Sequence, residues 1–507
     1  MTSIPQLVAR LESRSIILSL ADGQLRYRSP RDALTEADRA AIRAQRDALI
    51  DFLAAREAGR ALRMIEPQDG PLATSVGQDM YYRFGSGPLQ GKPVSLNIGM
   101  AGGFRSARAA DVADAVRAAV ARHESLRTRI VRHGEVLELA LNPAQDLQIE
   151  FEDLSDAQDG DAAGRAVVAE IFGNHIPIEA PWLFRAKVVA LPGGDAAAVM
   201  AANHFISDAG TRNILLQEIQ DWLDRKAGRD VSPRPPAIPY YAYSLGERRF
   251  LEGAHGASLI DYWRRWYGRQ AVMHAPSGAA MEWGAGTRIV NNFTIPRRAL
   301  ERVNALAREH GVTPFLVFLG IFCLAMARWS NMERFPVRVL GDKRSRLDLA
   351  GTVGLMFCAD PVEIQVLPGQ DFAQLMRAIL VEYEASLALR LPTLHYFAPH
   401  FVRPDIEPAG YPNRIPAVFN YYSGGTARER AQRRDSPDTA GTAWPPAVTR
   451  LPPQSWTRRS APLFLHLMDM GNEMTASLHF LADVVNETDE QAFIATLFRV
   501  WDEVVPL

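Results

Sequence analysis

The chain has 507 residues, of which 47% are hydrophobic and 22% are charged, and its formal net charge is −2. This composition supports large packed cores and excludes a broadly disordered chain. The near-neutral charge gives no electrostatic reason to expect nucleic acid or an anionic membrane surface as a general partner.

Cysteine content and apolar runs bear on location and on metal binding. Cys323 and Cys358 are the two cysteines and do not form a Cys-x-x-Cys motif, so we expect no disulfide framework, zinc ribbon or other metal site. The N-terminus has no signal-peptide pattern. The longest apolar run, 315–327, is too short to span a bilayer and is predicted to be a buried helix. We therefore expect a cytoplasmic protein.

Residues 1–60 are predicted to form a small αββα domain. Apolar residues at helical spacing indicate a first helix, and two alternating stretches joined by Asp22-Gly23 predict a β-hairpin. Thr35-x-x-Asp38 is a capping box that begins a second helix. The structural interpretation of this segment is a small stabilising appendage, and the functional interpretation is a docking module.

The open edge of this hairpin carries the candidate docking surface. An extended peptide can add to such an edge by main-chain hydrogen bonds, and nearby arginines, including Arg31, favour an acidic peptide. The residues predicted to dock the peptide are Leu18, Leu20, Leu25, Arg26, Tyr27 and Arg28. The pattern resembles the TubC-type docking domain of peptide and polyketide assembly-line proteins. That resemblance implies the C-terminal tail peptide of an upstream synthase as partner.

The candidate catalytic stretch is 203–210, which includes His204. Two apolar runs, 188–191 and 196–202, are separated by a Pro-Gly-Gly-Asp turn and predict a hairpin whose second strand is buried. Further apolar residues at helical spacing predict a helix from about Gly210 to Lys226. His204 is therefore expected on a strand-to-helix loop, beside N–H groups that can stabilise an oxyanion.

His204 has two interpretations. An isolated histidine is more often a satisfied core or loop residue, whereas a positioned imidazole can act as a general base that contributes about 10²–10⁴-fold to a rate. Asp208 is too close in sequence to show whether it orients the ring or serves the loop.

The remaining chain mixes strands and helices without strict alternation, which predicts an α+β fold. A proline-rich break near 232–236 separates a first lobe, 70–230, from a second lobe, 240–507.

Several motifs resemble those of the condensation domain of nonribosomal peptide synthetases. The stretch 75–81 is similar to the opening Ser-x-Ala-Gln motif, with Gly77 in place of Ala, and 122–128 matches Arg-His-Glu-x-Leu-Arg-Thr in full. The stretch 203–209 stands where the family has His-His-x-x-x-Asp-Gly. Three later segments are similar to further family motifs: 344–346, 353–357 and 416–421.

The resemblance implies two chloramphenicol-acetyltransferase-like lobes in a V-shaped pseudo-dimer, with a tunnel between them. It implies that His204 is the catalytic histidine and that Asp208 forms a structural salt bridge with Arg344, or else with Arg346. Asn203 and Gly210 complete the candidate catalytic set. The chain itself is expected to bind no cofactor, because a partner acyl or peptidyl carrier protein would present the phosphopantetheine arm.

Two departures from the family pattern fall in the candidate catalytic stretch. Asn203 replaces the first histidine, whose role in the family is mostly positional, so activity is still expected. Ala209 replaces glycine and adds a β-carbon where the family's backbone approaches the substrate arm.

We therefore interpret the chain as a freestanding, monomeric condensation enzyme. It would transfer a carrier-bound acyl chain to a small-molecule acceptor, with hydroxyl acceptors and ester-forming chain release favoured over amines. Two alternatives remain open: a noncatalytic platform that recruits partners to a carrier protein, and an acyltransferase that uses acyl-CoA.

Overall fold

The structure, a computed structural model, describes residues 2–506 except 22, 32, 66–71, 87–96, 134–135, 233, 235–236, 346, 391–413, 424–445, 447 and 470–473. The chain divides into two compact units. The large unit comprises Met1–Leu62, Phe250–Gly341 and Ala359–Leu507. The histidine unit comprises Arg63–Arg249 and Asp342–Cys358.

The N-terminal segment contains the predicted helix, hairpin and capping box. Its elements are α1 (Ile4–Glu12), β1 (Ile17–Ala21), β2 (Gln24–Arg28), α2 (Glu36–Ala44) and α3 (Arg46–Gly59). The strands are antiparallel, with Leu20 opposite Leu25, and the predicted turn residue Asp22 lies outside the described residues. The second predicted helix is broken at Gln45. This break separates α2, whose only buried residue is Asp38, from α3, which buries an apolar face.

The histidine unit is built on a four-stranded sheet. The described strands of this unit, inside and outside that sheet, are β3 (Asn97–Phe104), β4 (Thr128–His133), β5 (Val136–Leu141), β6 (Ile149–Asp153), β7 (Phe184–Leu191) and β8 (Asp195–Asn203). The sheet order is β3-β8-β7-β6, and β4 and β5 form a separate pair. Its helices are α4 (Val76–Ser86), α5 (Ala109–Arg122), α6 (Gly160–Gly173), α7 (Ala209–Lys226) and α8 (Tyr240–Glu252). The predicted hairpin before His204 is confirmed, because β7 and β8 pair antiparallel.

The large unit is built on an eight-stranded sheet. Its strands are β9 (Gly284–Ile295), β10 (Arg334–Asp342), β11 (Phe357–Gln365), β12 (Ala417–Ser423), β13 (Thr449–Arg450), β14 (Gln454–Ser460), β15 (Leu463–Asp469) and β16 (Met474–Leu481). The order is β11-β10-β12-β15-β16-β9-β13, and β14 also pairs with β9. Its helices are α9 (Ala254–Gly268), α10 (Arg297–Glu309), α11 (Pro314–Ser330), α12 (Phe372–Ala388) and α13 (Glu487–Val504).

The core of the large unit lies between one face of this sheet and its helices. Helix α11 is buried along most of its length, because nearly all of its residues are apolar. The predicted buried helix is therefore confirmed, and no single helix in the described ranges is long and apolar enough to cross a membrane. Cys323 and Cys358 are buried free thiols. The cytoplasmic location stays a prediction.

The N-terminal domain packs on the rest of the large unit. Helix α1 lies against α12, where Ser3 Oγ donates a short hydrogen bond to Glu382, and α3 lies against α9, where Arg265 pairs with Asp51 at 3.2 Å. Through these contacts, residues Met1–Leu62 form part of the compact large unit. The limits 1–60, 70–230 and 240–507 stay predictions.

Candidate functional site

His204 follows directly on the last residue of the central strand β8. Its neighbours in the chain form a short loop, and α7 begins at Ala209, one residue before the predicted start. The small apolar side chains of β8 let the strand be buried in the sheet, so the loop is supported from below by packed structure. The sequence prediction of a strand-to-helix loop is confirmed.

The tautomer of His204 follows from one hydrogen bond. Its Nδ1 lies 2.7 Å from the carbonyl oxygen of Ser207. A carbonyl oxygen accepts hydrogen bonds and cannot donate, so Nδ1 carries the proton and Nε2 has the free lone pair. Burial lowers the pKa of His204, and the negative charge of Asp208 opposes this shift only in part. The imidazole is therefore neutral near pH 7, as a general base requires.

Aromatic rings hold the imidazole plane. The ring of Tyr81 lies 4.7 Å from that of His204, and the ring of Phe357 lies 5.9 Å from it. Gln78 Nε2 donates to the carbonyl oxygen of Phe205 at 3.2 Å. The stretch 75–81 therefore supports the histidine loop from α4, a role for Tyr81 that the sequence did not indicate.

Asn203 fixes the loop by its side chain. Its Nδ2 donates to the Ile176 carbonyl at 2.9 Å, and its Oδ1 accepts from the Phe205 N–H at 2.9 Å. Both ends of the amide are thus bound to backbone inside the unit. These contacts are those of a positioning residue, which stabilises the loop that carries His204.

Asp208 caps α7 and binds Arg344. One carboxylate oxygen accepts from the N–H of Thr211 at 3.0 Å, which closes a capping box. The other accepts from Arg344 Nη1 at 2.9 Å and from the N–H of Met356 at 2.7 Å. The salt bridge that the resemblance implied is therefore present with Arg344, and Arg346 lies outside the described residues.

A second carboxylate, from Asp342, completes this ion-pair cluster. Arg344 Nη1 lies 3.0 Å from Asp342 Oδ2, and its Nε and Nη2 donate to the carbonyls of Thr352 at 2.7 Å and Gly354 at 3.1 Å. No sequence pattern indicates Asp342, because its role depends on the close approach of α7.

The pKa values follow from the charges in this cluster. Burial alone would raise the pKa of Asp208, but the charge and hydrogen bond of Arg344 outweigh burial and hold it below its usual range. Burial and the neighbouring charge of Asp208 raise the pKa of Asp342. Arg344 remains a cation, because both carboxylates raise its pKa. At neutral pH, Asp208 is therefore ionised and paired.

Because Gly210 has no side chain, Arg344 and Asp342 can lie against the first turn of α7. A β-carbon at this position would lie 2.5 Å from Arg344 Nη1 and 2.7 Å from Asp342 Oδ2. Both distances are shorter than a van der Waals contact, so only glycine admits this ion-pair cluster in its observed geometry.

We expect Gly210→Ala to lower the free energy of unfolding by about 1–3 kcal/mol and to reduce activity, because the added methyl group overpacks the cluster. Urea denaturation measures the loss. Gly103→Ala is the matched control, since a β-carbon there meets no atom within 4 Å. Equal stability of the two variants would contradict the close packing of Gly210 against the ion-pair cluster.

The stretch 122–128, at the end of α5, contacts α7, α8 and the segment Asp342–Cys358. His123 Nε2 lies 2.9 Å from Glu218 Oε2 on α7, and Ser125 Oγ donates to the Val353 carbonyl at 2.8 Å. The Thr128 hydroxyl lies 2.5 Å from that of Tyr241. This motif therefore supports α7 and the segment Asp342–Cys358, and its residues are not part of the catalytic set.

The predicted docking residues lie in two environments. Leu18 is 3% exposed, so its side chain belongs to the domain core and is not on the surface, and Leu20 and Leu25 are half-buried. Arg26, Tyr27 and Arg28 are exposed on β2. Within the described residues no third strand pairs with this hairpin, and neither Arg26 nor Arg28 forms an ion pair there.

Comparison with known proteins decides the family. The condensation domain model matches residues 97–385, and the TubC N-terminal docking domain model matches 4–54. The chain belongs to the condensation domain family. This family is of the acyl or peptidyl transferase type and acts in assembly lines, and the predicted docking domain is confirmed.

The curated relatives are large synthetases, and this chain matches a part of each. Phosphinothricin tripeptide synthetase PhsC of Streptomyces viridochromogenes is 25% identical over 334 residues, which is 63% of this chain and 30% of the synthetase. Bacitracin synthase 2 of Bacillus licheniformis is 22% identical over 363 residues, or 70% of this chain and 13% of the synthase. The chain thus spans less than a third of the length of either relative.

Solved structures have the same fold over most or all of this chain. The condensation domain of chain release from the enacyloxin polyketide synthase is 30% identical, with a TM-score of 0.86 and coverage of 100% of this chain and 98% of that one. SgcC5 from Streptomyces globisporus is 18% identical, with a TM-score of 0.62 and coverage of 86% and 98%. The predicted α+β condensation-domain fold, with chloramphenicol-acetyltransferase-like lobes and an N-terminal docking domain, is confirmed.

Proposed function

We propose that this condensation domain transfers an acyl chain from a carrier-protein thioester to an acceptor hydroxyl and releases the chain as an ester. The observation that carries the proposal is the neutral imidazole of His204, whose Nδ1–H is bound by the Ser207 carbonyl so that Nε2 is the base. Similarity over the full chain to a condensation domain of chain release supports the same reaction class.

The proposed step begins with proton transfer to His204. Nε2 accepts the proton of the acceptor hydroxyl while the oxygen attacks the thioester carbonyl carbon, so a C–O bond forms and the carbonyl oxygen gains negative charge. The N–H of Gly210, which has no hydrogen-bond partner among the described residues, is proposed to donate to that oxyanion. The C–S bond then breaks, and the proton passes from Nε2 to the departing thiolate. The products are an ester and a carrier thiol.

Asp208 and Arg344 do not transfer protons in this proposal. Asp208 is bound by Arg344, by Thr211 and by the Met356 N–H, so its lone pairs are used inside the unit. The pair instead fixes the N-terminus of α7 and the loop before it. His204 Nε2 is then held ready for the acceptor without further reorganisation.

The chain needs no cofactor of its own for this chemistry. The thioester is already an activated acyl group, so a base and an oxyanion donor suffice. We propose that an acyl or peptidyl carrier protein presents the thioester on its phosphopantetheine arm, and that the acceptor is a small molecule. A hydroxyl acceptor is favoured because it is uncharged at neutral pH and has its proton until the base removes it.

Product analysis tests the acceptor class. The acylated carrier is mixed with the enzyme and an equimolar panel of alcohols and amines, and the products are separated and weighed by mass spectrometry. Esters formed in preference to amides support the proposal. Exclusive amide formation would overturn the ester assignment while leaving carrier-dependent transfer in place.

The proposed partner of the N-terminal domain is an acidic tail peptide of an upstream synthase. The exposed strand β2 offers main-chain groups for strand addition, and Arg26 and Arg28 offer positive charge beside them. The packing of α1 and α3 on α12 and α9 would hold the docked peptide against the large unit.

We expect the double substitution Arg26→Glu and Arg28→Glu to weaken tail-peptide binding about 10-fold and to reduce its salt dependence, because attraction becomes repulsion. Titration calorimetry with a synthetic tail peptide at two salt concentrations measures this. Arg46→Glu, an exposed charge reversal on α3, is the control. Unchanged affinity of the double variant would contradict docking through β2.

A further inference from the structure

Helix α8 carries a buried carboxylate that has no part in the proposed reaction. Glu247 is fully buried, at 0% exposure, and both of its oxygens accept hydrogen bonds inside the histidine unit. Its Oε2 accepts from the Val76 N–H at 2.7 Å, and its Oε1 accepts from the Tyr243 hydroxyl at 2.7 Å. Lys343 Nζ lies 3.4 Å from the same Oε1. These four residues are termed the Glu247 network.

Both charged side chains of the Glu247 network are removed from water. The side chain of Lys343 is 5% exposed, and its Nζ lies 4.7 Å from the centre of the Tyr243 ring. Burial and the negative charge of Glu247 raise the pKa of Tyr243, so its hydroxyl keeps its proton and donates. A buried ion pair contributes little net stability, because desolvation offsets the attraction between its charges. Stability alone therefore explains this pair poorly.

One partner of Glu247 begins the helix that contacts the imidazole. Val76 is the first residue of α4, where N–H groups without helical partners and the helix dipole favour a negative charge. The carboxylate of Glu247 therefore caps α4 from α8. Further along α4, the ring of Tyr81 lies 4.7 Å from that of His204. A shift of α4 would move one ring relative to the other.

The cationic partner belongs to a second element that reaches the histidine loop. Lys343 lies near the start of the segment Asp342–Cys358, and its N–H donates to the Met356 carbonyl at 2.9 Å, which joins the two ends of the segment. The next residue, Arg344, binds the carboxylate that caps α7, and the ring of Phe357 lies 5.9 Å from the imidazole. A shift of Lys343 would therefore move both contacts.

We propose that Glu247 is a positioning residue for the catalytic base His204. It joins α4 to the segment Asp342–Cys358, and these two elements hold the rings of Tyr81 and Phe357 against the imidazole. Glu247 acts through these contacts and does not touch the reacting atoms. The inference rests on the proposed role of His204 as the base, and it adds a residue that fixes the surroundings of that base.

Replacing the buried carboxylate of α8 has two opposite effects on the pKa of His204. Removal of a negative charge lowers this pKa by Coulomb's law, whereas looser packing raises it, because burial is the main cause of the lowered pKa. The charged groups beside the imidazole, Asp208 with its partners Arg344 and Asp342, are unchanged, as is Tyr81, which faces it from α4. A raised pKa therefore reports positioning.

Titration of the His204 ring by NMR tests the inference. The full chain is labelled with ¹³C at histidine Cε1, and the His204→Gln variant assigns the signal. We expect Glu247→Gln to raise the pKa of His204 toward its ordinary value of 6.5. We also expect kcat for acyl transfer to decrease about 10–100-fold with little change in KM, because the base is misplaced while substrate binding is retained. An unchanged or lowered pKa would overturn the inference.

The double variant Glu247→Gln and Lys343→Met separates positioning from stability, and it serves if the single variant does not fold. It has no unpaired buried charge, so urea denaturation should show that most of the lost stability is recovered. The pKa of His204 should still be raised, because the contact between α8 and the segment Asp342–Cys358 is not restored. Recovery of the wild-type pKa together with stability would show a merely structural role and overturn the inference.

Glu490→Gln is the matched control, since it removes a buried carboxylate with a cationic partner in the large unit. Glu490 is 1% exposed on α13 and accepts from Asn291 Nδ2 at 2.9 Å and from Arg450 Nε at 3.0 Å. This control should lower stability and leave the pKa of His204 unchanged, and an equal pKa shift would overturn the inference. Failure of the proposed function is distinguishable, because it appears as no acyl transfer by the wild type, whereas the NMR titration requires no transfer.

Discussion

Replacing His204 with glutamine is expected to lower kcat/KM for acyl transfer by about 10²–10⁴-fold, because the amide has no basic lone pair to accept the acceptor proton. The substitution is close in size, and the contacts that the described residues make with the ring include two aromatic neighbours and one loop carbonyl. The melting temperature should therefore change little. Steady-state rates with an acylated carrier, together with thermal melting, measure both effects. A rate near that of the wild type would support the noncatalytic-platform alternative.

The pH profile gives an independent check on the same residue. Burial lowers the pKa of His204 from its ordinary value of 6.5, so the imidazole remains neutral to lower pH than a free histidine does. As pH falls, kcat/KM should stay level through the pH range in which a free histidine becomes protonated. It should decrease only as pH passes through the lowered pKa of His204. The glutamine variant should lack this inflection. An inflection at or above pH 6.5 would contradict a buried, neutral base.

Breaking the Asp208–Arg344 pair is expected to lower the free energy of unfolding by about 3–5 kcal/mol, because removal of one partner leaves an uncompensated buried charge. Both side chains are buried, at 3% and 7% exposure. Arg344→Ala and Asp208→Ala are compared by urea denaturation, and Asp208→Ala should affect loop geometry more than proton transfer. Normal circular dichroism and melting of Asp208→Ala would count against the structural role.

An exposed ion pair in the same unit provides the control for this effect. Arg117 and Asp114 are bridged at 3.2 Å but are about half exposed. Solvent screening limits such pairs to about 0–1 kcal/mol, so Arg117→Ala should change stability little. Equal losses for Arg117→Ala and Arg344→Ala would contradict the importance of burial at the Asp208 site.

The stability contribution of Asp208 depends on pH in a defined direction. Its folded-state pKa is lowered below the ordinary 3.8, so the carboxylate contributes stability above the unfolded-state pKa. That contribution is lost as pH falls through the lowered folded-state pKa. The Arg344→Ala variant should lose part of this acid dependence, because Arg344 is the main group that lowers the pKa.

Local patterns in the sequence predicted the structure around His204 well. The small apolar run before Asn203 and its turn cluster are local signals, and β7, β8 and α7 follow from them directly. The pairing of Asp208 with Arg344 came from family resemblance instead. The two residues are 136 positions apart, so no spacing rule relates them.

Other features depend on long-range packing and could not be predicted. Asp342 belongs to the ion-pair cluster because Gly210 lets it lie close to α7. The break at Gln45 separates two helices with different buried faces. The packing of the N-terminal domain on α9 and α12 is of the same kind.

The intact mass of the acylated carrier protein tests the central claim most directly. The carrier is incubated with a hydroxyl acceptor and either the wild-type chain or the His204→Gln variant, and its mass is followed through a single turnover. We expect the wild type to remove the acyl mass as the ester appears, and the variant to leave the carrier acylated on the same timescale. Retention of the acyl group with the wild type, or equal loss with both proteins, would contradict acyl transfer by His204.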